Sequence, residues 1–364
     1  MTSDRLRIGV DAHAIGERKT GNERVFANLI PELVARSKHD FVLFFTDGAS
    51  AKAWPAGDRT KVRLIRPSNR LVRYPLLLPA LTRREHLDVL LVQYTASKRI
   101  PCPVVTYVHD VSFAAQPRFF GPLERMWLQK EVPSTMKRAA SVITVSEFSR
   151  LEISRIYPFA AGKIVVAPDA PDPIFAGKES RVSPREPPYF LAVGDLRPRK
   201  NMAVVIRAFR MLVDLHPEVR ERLLLVGQNG PDGRRLHHDA ADLESAGRLA
   251  FLGYVSDEQL VGLQQHATAL VYPSLYEGFG LPVVEAMATG TPALVSDIPV
   301  MLEVAGEAAV RLPPTEPGAW TEALRMVAID PAHRAALVEA GLKRAASFSW
   351  ARSADLVLQA LEKA

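Results

Sequence analysis

Cys102 is the one cysteine in 364 residues, so no disulfide can form within the chain and no cysteine-built metal cluster is available. That scarcity fits a reducing compartment. No apolar run reaches the roughly 20 residues needed to span a bilayer. The opening stretch "MTSDRLRIGVDAHAIG" lacks an apolar h-region, and charges interrupt its first strand-like run, so no secretory signal peptide is expected. No segment recurs at solenoid spacing. The first strand leads into "DAHAIGERKTGN" rather than G-x-G-x-x-G, which argues against a nicotinamide dehydrogenase. Helix-turn-helix, zinc and RNP-like patterns are also missing, so nucleic acid is not an expected partner.

What remains is ordinary for a globular chain: 48% hydrophobic and 24% charged residues. The length suggests two domains. The net charge of +6 favours anionic partners such as nucleotides or anionic lipid.

Short β-branched runs alternate with helical patterns. "LRIGVDA", "DFVLFFTD", "VRLIRP", "LDVLLVQ", "PVVTYVHD", "SVITVSE" and "KIVVAPD" read as strands, with "NERVFANLIPELVAR" as an amphipathic helix after the first. Around 175–190 the composition turns to Pro, Ser and charge without an apolar period, which reads as a linker. The alternation then restarts at "YFLAVGD" and runs through "RLLLVGQ", "LAFLGYV", "TALVYPS" and "PALVSD" to a closing helical region. The expectation is an α/β protein of two Rossmann-like domains with parallel sheets facing an interdomain cleft. The first spans 1–176, a linker 177–187, the second 188–347. A last amphipathic helix, 348–364, would dock on a domain surface; crossing back to the first domain is one such placement.

Two stretches carry chemistry. "SLYEGFGLPVVEAMATGTP" (274–292) puts Glu277 and Glu285 around a glycine-flanked turn. Gly278, Phe279 and Gly280 make a tight loop, and Pro282 suits the start of a helix. Free N–H groups there make an anion site. Glu285 is expected in the helix's first turn, and the spacing alone leaves two readings open: a dipole-stabilising carboxylate or a ligand contact. "VGDLRPRKN" (193–201) also follows a strand and brings Arg197, Arg199 and Lys200 together. A solvated basic turn is one reading; a diphosphate clamp of planar forks and a point charge is the other. Carboxylates beside such a clamp would suit sugar hydroxyls, which makes a sugar-nucleotide site.

In these residues the chain resembles the retaining GT-B glycosyltransferases of family GT4, in their mannosyltransferase-like branch. "EGFGLPVVEA" looks like that family's E-x7-E motif. "GVDAHAIGERKTGNERVFANL", "VTYVHDVSF", "SVITVSEFSR", "FLAVGDLRPRKN", "FLGYVSDEQL" and "ATGTPALVSDIPVMLEVAGEAAV" extend the likeness, in order, over nearly the whole chain. The resemblance implies catalytic roles for Glu277, His109, Arg199 and Lys200. It places Glu277 beside the transferred sugar, Glu285 on the ribose, and Gly278, Phe279, Gly280 and Leu281 along the donor. Gly194 matches a donor-side glycine, and Gly16 and Gly21 match the N-terminal glycine loop, which can bring N–H groups to the donor phosphates or shape the acceptor site. Many relatives carry a basic residue where Asp195 stands, and "NG" where Asp169 and Ala170 stand.

The implied activity is transfer of a hexose with retention, from a nucleotide-diphosphate sugar to a glycan or lipid-linked acceptor. No metal and no further cofactor is expected. "TGNERV" and "PRKN" point to GDP-mannose, with UDP-sugars as the other donors that fit. A silent sugar-nucleotide binder should lack the glutamates and cations, and a GT-B 2-epimerase is disfavoured by E-x7-E. The expected place is cytoplasmic, with "RLIRPSNRLVRYPLLLPALTRREH" (63–86) and "RFFGPLERMWLQKEV" (118–132) read either as amphipathic faces or as a surface for the anionic inner leaflet.

Overall fold

The computed structural model describes residues 5–16, 21–55, 57–176 and 187–364. Of the expected linker only Pro187 falls among them, and residues 17–20 of the first glycine loop also lie outside. The chain divides into two compact units, one of Met1–Asp169 with Ser349–Ala364, the other Ala170–Phe348.

The first unit is built on a seven-stranded parallel sheet. Its strands are β1 (Arg7–Asp11), β2 (Asp40–Phe45), β3 (Thr60–Leu64), β4 (Val89–Gln93), β5 (Val104–Tyr107), β6 (Ser141–Thr144) and β7 (Ile164–Val166). The order is β3-β2-β1-β4-β5-β6-β7. Central strands such as "VLLVQ" are buried along their whole length, as helices on both faces demand. Val42, Phe44, Leu78, Leu90 and Val92 form the core on one side; Val108, Val132, Met136, Val142 and Ile153 form another.

The second unit has six parallel strands in the order β10-β9-β8-β11-β12-β13. These are β8 (Tyr189–Val193), β9 (Arg222–Val226), β10 (Leu249–Gly253), β11 (Ala269–Tyr272), β12 (Ala293–Ser296) and β13 (Val310–Leu312). Phe190, Phe209, Leu212, Leu225 and Trp320 centre its core. β13 corrects the reading of a purely helical close: three residues pairing along β12 are too short to show a period in sequence. In both sheets the first strand lies inside, flanked by the second on one side and the fourth on the other. The crevice beside it, at the strands' C-terminal ends, is where open α/β sheets bind ligands.

The terminal helix Trp350–Glu362 belongs to the first unit. Ala354, Val357, Leu358 and Leu361 bury its apolar stripe. Arg36 grips Asp355 with two N–H bonds of 2.7 and 2.6 Å, and the Ser353 hydroxyl donates to the Pro168 carbonyl. His39 Nδ1 accepts from the Leu6 N–H at 3.1 Å, which leaves Nε2 to face Glu362 at 2.9 Å.

The stretch 63–86 is not one exposed face. Arg73 is buried on Asp11, with its Nη1 2.9 and 2.7 Å from the two carboxylate oxygens. Arg63 binds the buried Glu85, and Leu78 lies in the core. What stays outside meets the second basic stretch. Arg70 lies 4.0 Å over the Trp127 ring, Tyr74 meets Trp127 edge-on at 6.4 Å, and the Tyr74 hydroxyl donates to Glu131 at 3.0 Å. Leu71, Leu76, Leu123 and Met126 stand exposed on these helices.

Candidate active site

In the second unit the two chemistry-bearing loops leave adjacent strands. β8 runs into Gly194–Asn201 and β11 into Pro273–Gly280, so both open at the switch point. The loops are tied by backbone: the Leu275 N–H donates to the Arg199 carbonyl at 2.9 Å. Asn201, in a left-handed turn at φ 54°, donates its side-chain amide to the Pro273 and Pro314 carbonyls. Gly194 is at φ +149°, and a Cβ there would press on the Lys200 side chain at 3.1 Å. Only glycine lets the lysine stem lie across the strand end.

Three charges meet where these loops meet. Lys200 Nζ donates to Glu277 Oε1 at 2.7 Å, and Arg199 Nη1 donates to Glu277 Oε2 at 2.6 Å and to the Tyr276 carbonyl at 2.8 Å. Glu277 is buried, and burial would raise its carboxyl; Arg199 and Lys200 outweigh that and bring it down to about 2. Lys200 is lowered by burial, with Glu277 opposing the shift and Arg199 adding to it. Two cations and one carboxylate leave one net positive charge at the crevice. Arg197 stays apart, half exposed and 3.9 Å from Asp195.

The helix Leu281–Ala288 opens from Gly280, whose φ of +108° suits glycine, with Pro282 in its first turn. Glu285 is the fifth residue of this helix, past the first turn. That corrects the expected position and removes the simple dipole reading: the four free N–H groups belong to the turn before it. Glu285 is 1% exposed, so its carboxylate is held inside. Phe279 is buried edge-on against Phe348 at 5.3 Å, and Leu281 is buried beside it. Gly278 lies in the loop between.

In the first unit His109 follows β5. It is buried between Tyr107 (ring centroids 4.8 Å apart) and Tyr94 (5.6 Å), and burial pushes its imidazole down to about 3. Its Nε2 is buried and has no hydrogen-bond partner among the described residues. The Tyr107 hydroxyl donates to Asp169 at 3.3 Å, so the aspartate at the position of the relatives' "NG" supports the ring that packs on His109. Gly16 adopts φ +96°, and its N–H is already donated to Glu23 at 2.7 Å. Gly21 begins the helix Gly21–Arg36 with open space where a Cβ would be. The structure thus joins Gly194, Arg199, Lys200 and Glu277 in one cluster, leaves Gly280 at the start of the following helix, and gives His109 an aromatic cradle in the first unit.

Sequence reasoning missed Tyr272, Tyr94, Tyr107 and the Asp11–Arg73 pair. Tyr272 and Tyr107 sit in strands, where an aromatic reads as core. Asp11 and Arg73 are 62 positions apart.

Among the described residues no group of three or more His, Cys, Asp or Glu side chains could hold a metal ion, and no helix is long and apolar enough to cross a membrane.

Two family profiles match the chain one after the other. That described as Glycosyltransferase Family 4 covers residues 20–175, and that of Glycosyl transferases group 1 covers 176–344. The O-antigen chain mannosyltransferase B of Escherichia coli is 32% identical over 262 residues, 68% of this chain and 66% of that protein. The O-antigen chain mannosyltransferase RfbU of Salmonella typhimurium is 32% identical over 221 residues, 60% of this chain and 59% of that protein. The alignments therefore span just under two thirds of these relatives' length. Among solved structures, the sucrose-phosphate synthase of Thermosynechococcus elongatus superposes with a TM-score of 0.75 at 19% identity, covering 98% of both chains. WaaG, a glycosyltransferase involved in lipopolysaccharide biosynthesis, superposes at 0.74 and 16% identity, over 98% of this chain and 99% of that one. HepE of Anabaena, in complex with UDP-glucose, does so at 0.75 and 17%, with the same coverage. At these identities the structures speak for the fold, and the profiles for the family: the chain belongs to glycosyltransferase family 4, the group 1 glycosyl transferases, and has their GT-B fold of two Rossmann-like domains.

Proposed function

We propose that the protein transfers a hexose, with retention, from a nucleotide-diphosphate sugar to a glycan or lipid-linked acceptor. The observation that carries this reading is the Arg199–Glu277–Lys200 cluster at the switch point, one net positive charge beside the buried Glu285. Arg199 and Lys200 stabilise the departing diphosphate, which is where negative charge grows. Glu285 takes the ribose hydroxyls, Glu277 takes sugar hydroxyls, and the Gly278–Leu281 backbone lines the donor; in the first unit, His109 offers its imidazole to a hydroxyl. Charge neutralisation by these side chains removes the need for a divalent ion. The diphosphate oxygen accepts the acceptor's proton on the face the leaving group vacates, so the new bond keeps the old configuration. A covalent route would need a carboxylate nucleophile behind the anomeric carbon. Glu277, tied to two cations, is a poor nucleophile.

GDP-mannose is the proposed donor, since the first relatives are named mannosyltransferases. HepE's complex with UDP-glucose makes UDP-sugars the competing class. Thermal shift against both sets, followed by NMR of the product, tests this. The expected outcome is an α-glycoside from GDP-mannose, formed equally well in EDTA. A β-glycoside, or activity restored only by magnesium or manganese, would refute the mechanism.

A cytoplasmic protein resting on anionic lipid is the accompanying proposal. Its support is the merged surface of Leu71, Leu76, Leu123 and Met126, where Arg70, Arg118, Arg125 and Lys130 remain unburied against Glu124 and Glu131. Vesicles of phosphatidylglycerol should float the protein and phosphatidylcholine vesicles should not. Leu71→Asp with Leu123→Asp should abolish flotation, and salt should weaken it.

A further inference from the structure

The Lys200 ammonium has three N–H bonds. One goes to Glu277 at 2.7 Å; a second goes to the Tyr272 hydroxyl oxygen at 2.8 Å, and the nitrogen lies 4.7 Å from that ring's centroid. The third has no partner among the described residues. Tyr272 ends β11 and is 1% exposed. It cannot swing away, because the core encloses its ring and the strand holds its backbone. Gly194 lies against the lysine stem. The ammonium is therefore fixed by two acceptors that are themselves fixed, and its last N–H is left for a ligand.

We propose that Tyr272 is a positioning residue for the transfer reaction: it holds the Lys200 ammonium charged and aimed, so that the remaining N–H meets the donor's diphosphate. This rests on the donor reading above and adds to it a residue whose hydroxyl binds Lys200 and also faces the Glu277 carboxylate. The chemistry is specific. A buried ammonium costs heavily unless its protons are accepted. The groups facing it are Glu277, Arg199, Asp195 and Tyr272. Glu277 and Asp195 favour the charged form and Arg199 opposes it. The Tyr272 hydroxyl supplies an acceptor without a second negative charge, because burial drives its own ionisation well above the ordinary phenol range. A second carboxylate there would hold the ammonium as firmly but cancel the charge that draws the diphosphate.

Tyr272→Phe keeps the ring, its packing and the cation–π contact, and removes only the hydroxyl. With one acceptor gone, the ammonium loses its proton at lower pH than in the parent. The test combines two measurements on full-length protein whose fold is checked by thermal melting. The first is NMR titration of the Lys200 ammonium with labelled lysine, assigned through Lys200→Arg. The second is calorimetry with GDP, UDP, GMP and inorganic pyrophosphate. The expected result is a downward move of the Lys200 midpoint, an affinity for diphosphates about tenfold weaker, and a smaller loss for GMP. The alkaline limb of the activity profile should move down with that midpoint. A Lys200 midpoint that stays put overturns the proposal, as does diphosphate affinity within twofold of the parent. A parent protein that binds neither GDP nor UDP would instead overturn the donor reading, while the lysine titration and pyrophosphate still judge Tyr272.

Discussion

The two units share the strand order around their first strand and put different chemistry at the C-terminal ends of their strands. At the second unit's crevice, charges converge: Arg199 and Lys200 close on Glu277, with Glu285 buried in the next helix. In the first unit, His109 is held neutral between two tyrosines, and its Nε2 has no partner among the described residues. The charged pair there, Asp11 with Arg73, is spent on itself, and its carboxyl is held far below the usual range. Burial would raise that carboxyl, but His13 and Arg73 outweigh it. A parallel sheet thus fixes where a ligand binds and leaves its kind to the loops. One crevice suits a leaving group that gathers negative charge; the other suits neutral hydroxyls.

The largest effect expected of this contrast is on turnover. Lys200→Ala should lower it by about 10²–10³-fold, the scale of losing one preorganised donor to a developing anion. His109→Asn should cost much less, since it replaces one neutral hydrogen-bonding group with another. Equal losses in steady-state kinetics would erase the distinction between the crevices.

Next comes donor affinity. Glu285→Ala should weaken nucleotide-sugar binding by about 1.5–3 kcal/mol, the worth of hydrogen bonds to a charged group. Calorimetry on folded variant protein reads this directly, and unchanged affinity would remove Glu285 from the donor site.

The smallest effect separates the units by pH. Unfolded histidine takes up a proton below about 6.5, whereas His109 does so only near 3. Between those values the unfolded state binds more protons, so stability falls as the solution is acidified, by at most about 1.4 kcal/mol per pH unit. Glu277 has the opposite charge type and a lower window. Its contribution is full above the ordinary carboxyl value of 4.5 and is lost as pH falls toward about 2. Urea melts should therefore show a shallower pH slope for His109→Asn than for the parent between pH 6 and 5, where Glu277 is silent. Parallel slopes would mean the imidazole is not buried neutral.

Much of this was legible because glycine, proline and charge punctuate the loops where chemistry sits. "EGFGLPVVEA" and "LRPRKN" announce their residues by type. They do not announce that Glu277 is the counter-ion of Arg199 and Lys200, a contact across 77 or 78 positions that only adjacent β8 and β11 create. Arg73 looked like surface because arginine usually is; it lies in a helical turn, and its partner, Asp11, ends β1. Tyr272 was hidden for a different reason. Inside "ALVYPS" an aromatic fits the packed strand so well that its hydroxyl carries no separate signal. Glu285 falls just past the first turn, because the helix begins already at Leu281, directly after Gly280 has turned the chain.

The terminal helix has a consequence for how the protein is made. The second unit is one continuous stretch, so it can close as soon as Phe348 leaves the ribosome. The first unit's sheet is complete by Val166, yet its covering helix arrives last, nearly two hundred residues later. The older half of the nascent chain must therefore wait, with the groove for Val357, Leu358 and Leu361 open, until the younger half is finished. A chain cut after Phe348 would lose none of the second unit and would leave the first permanently uncovered.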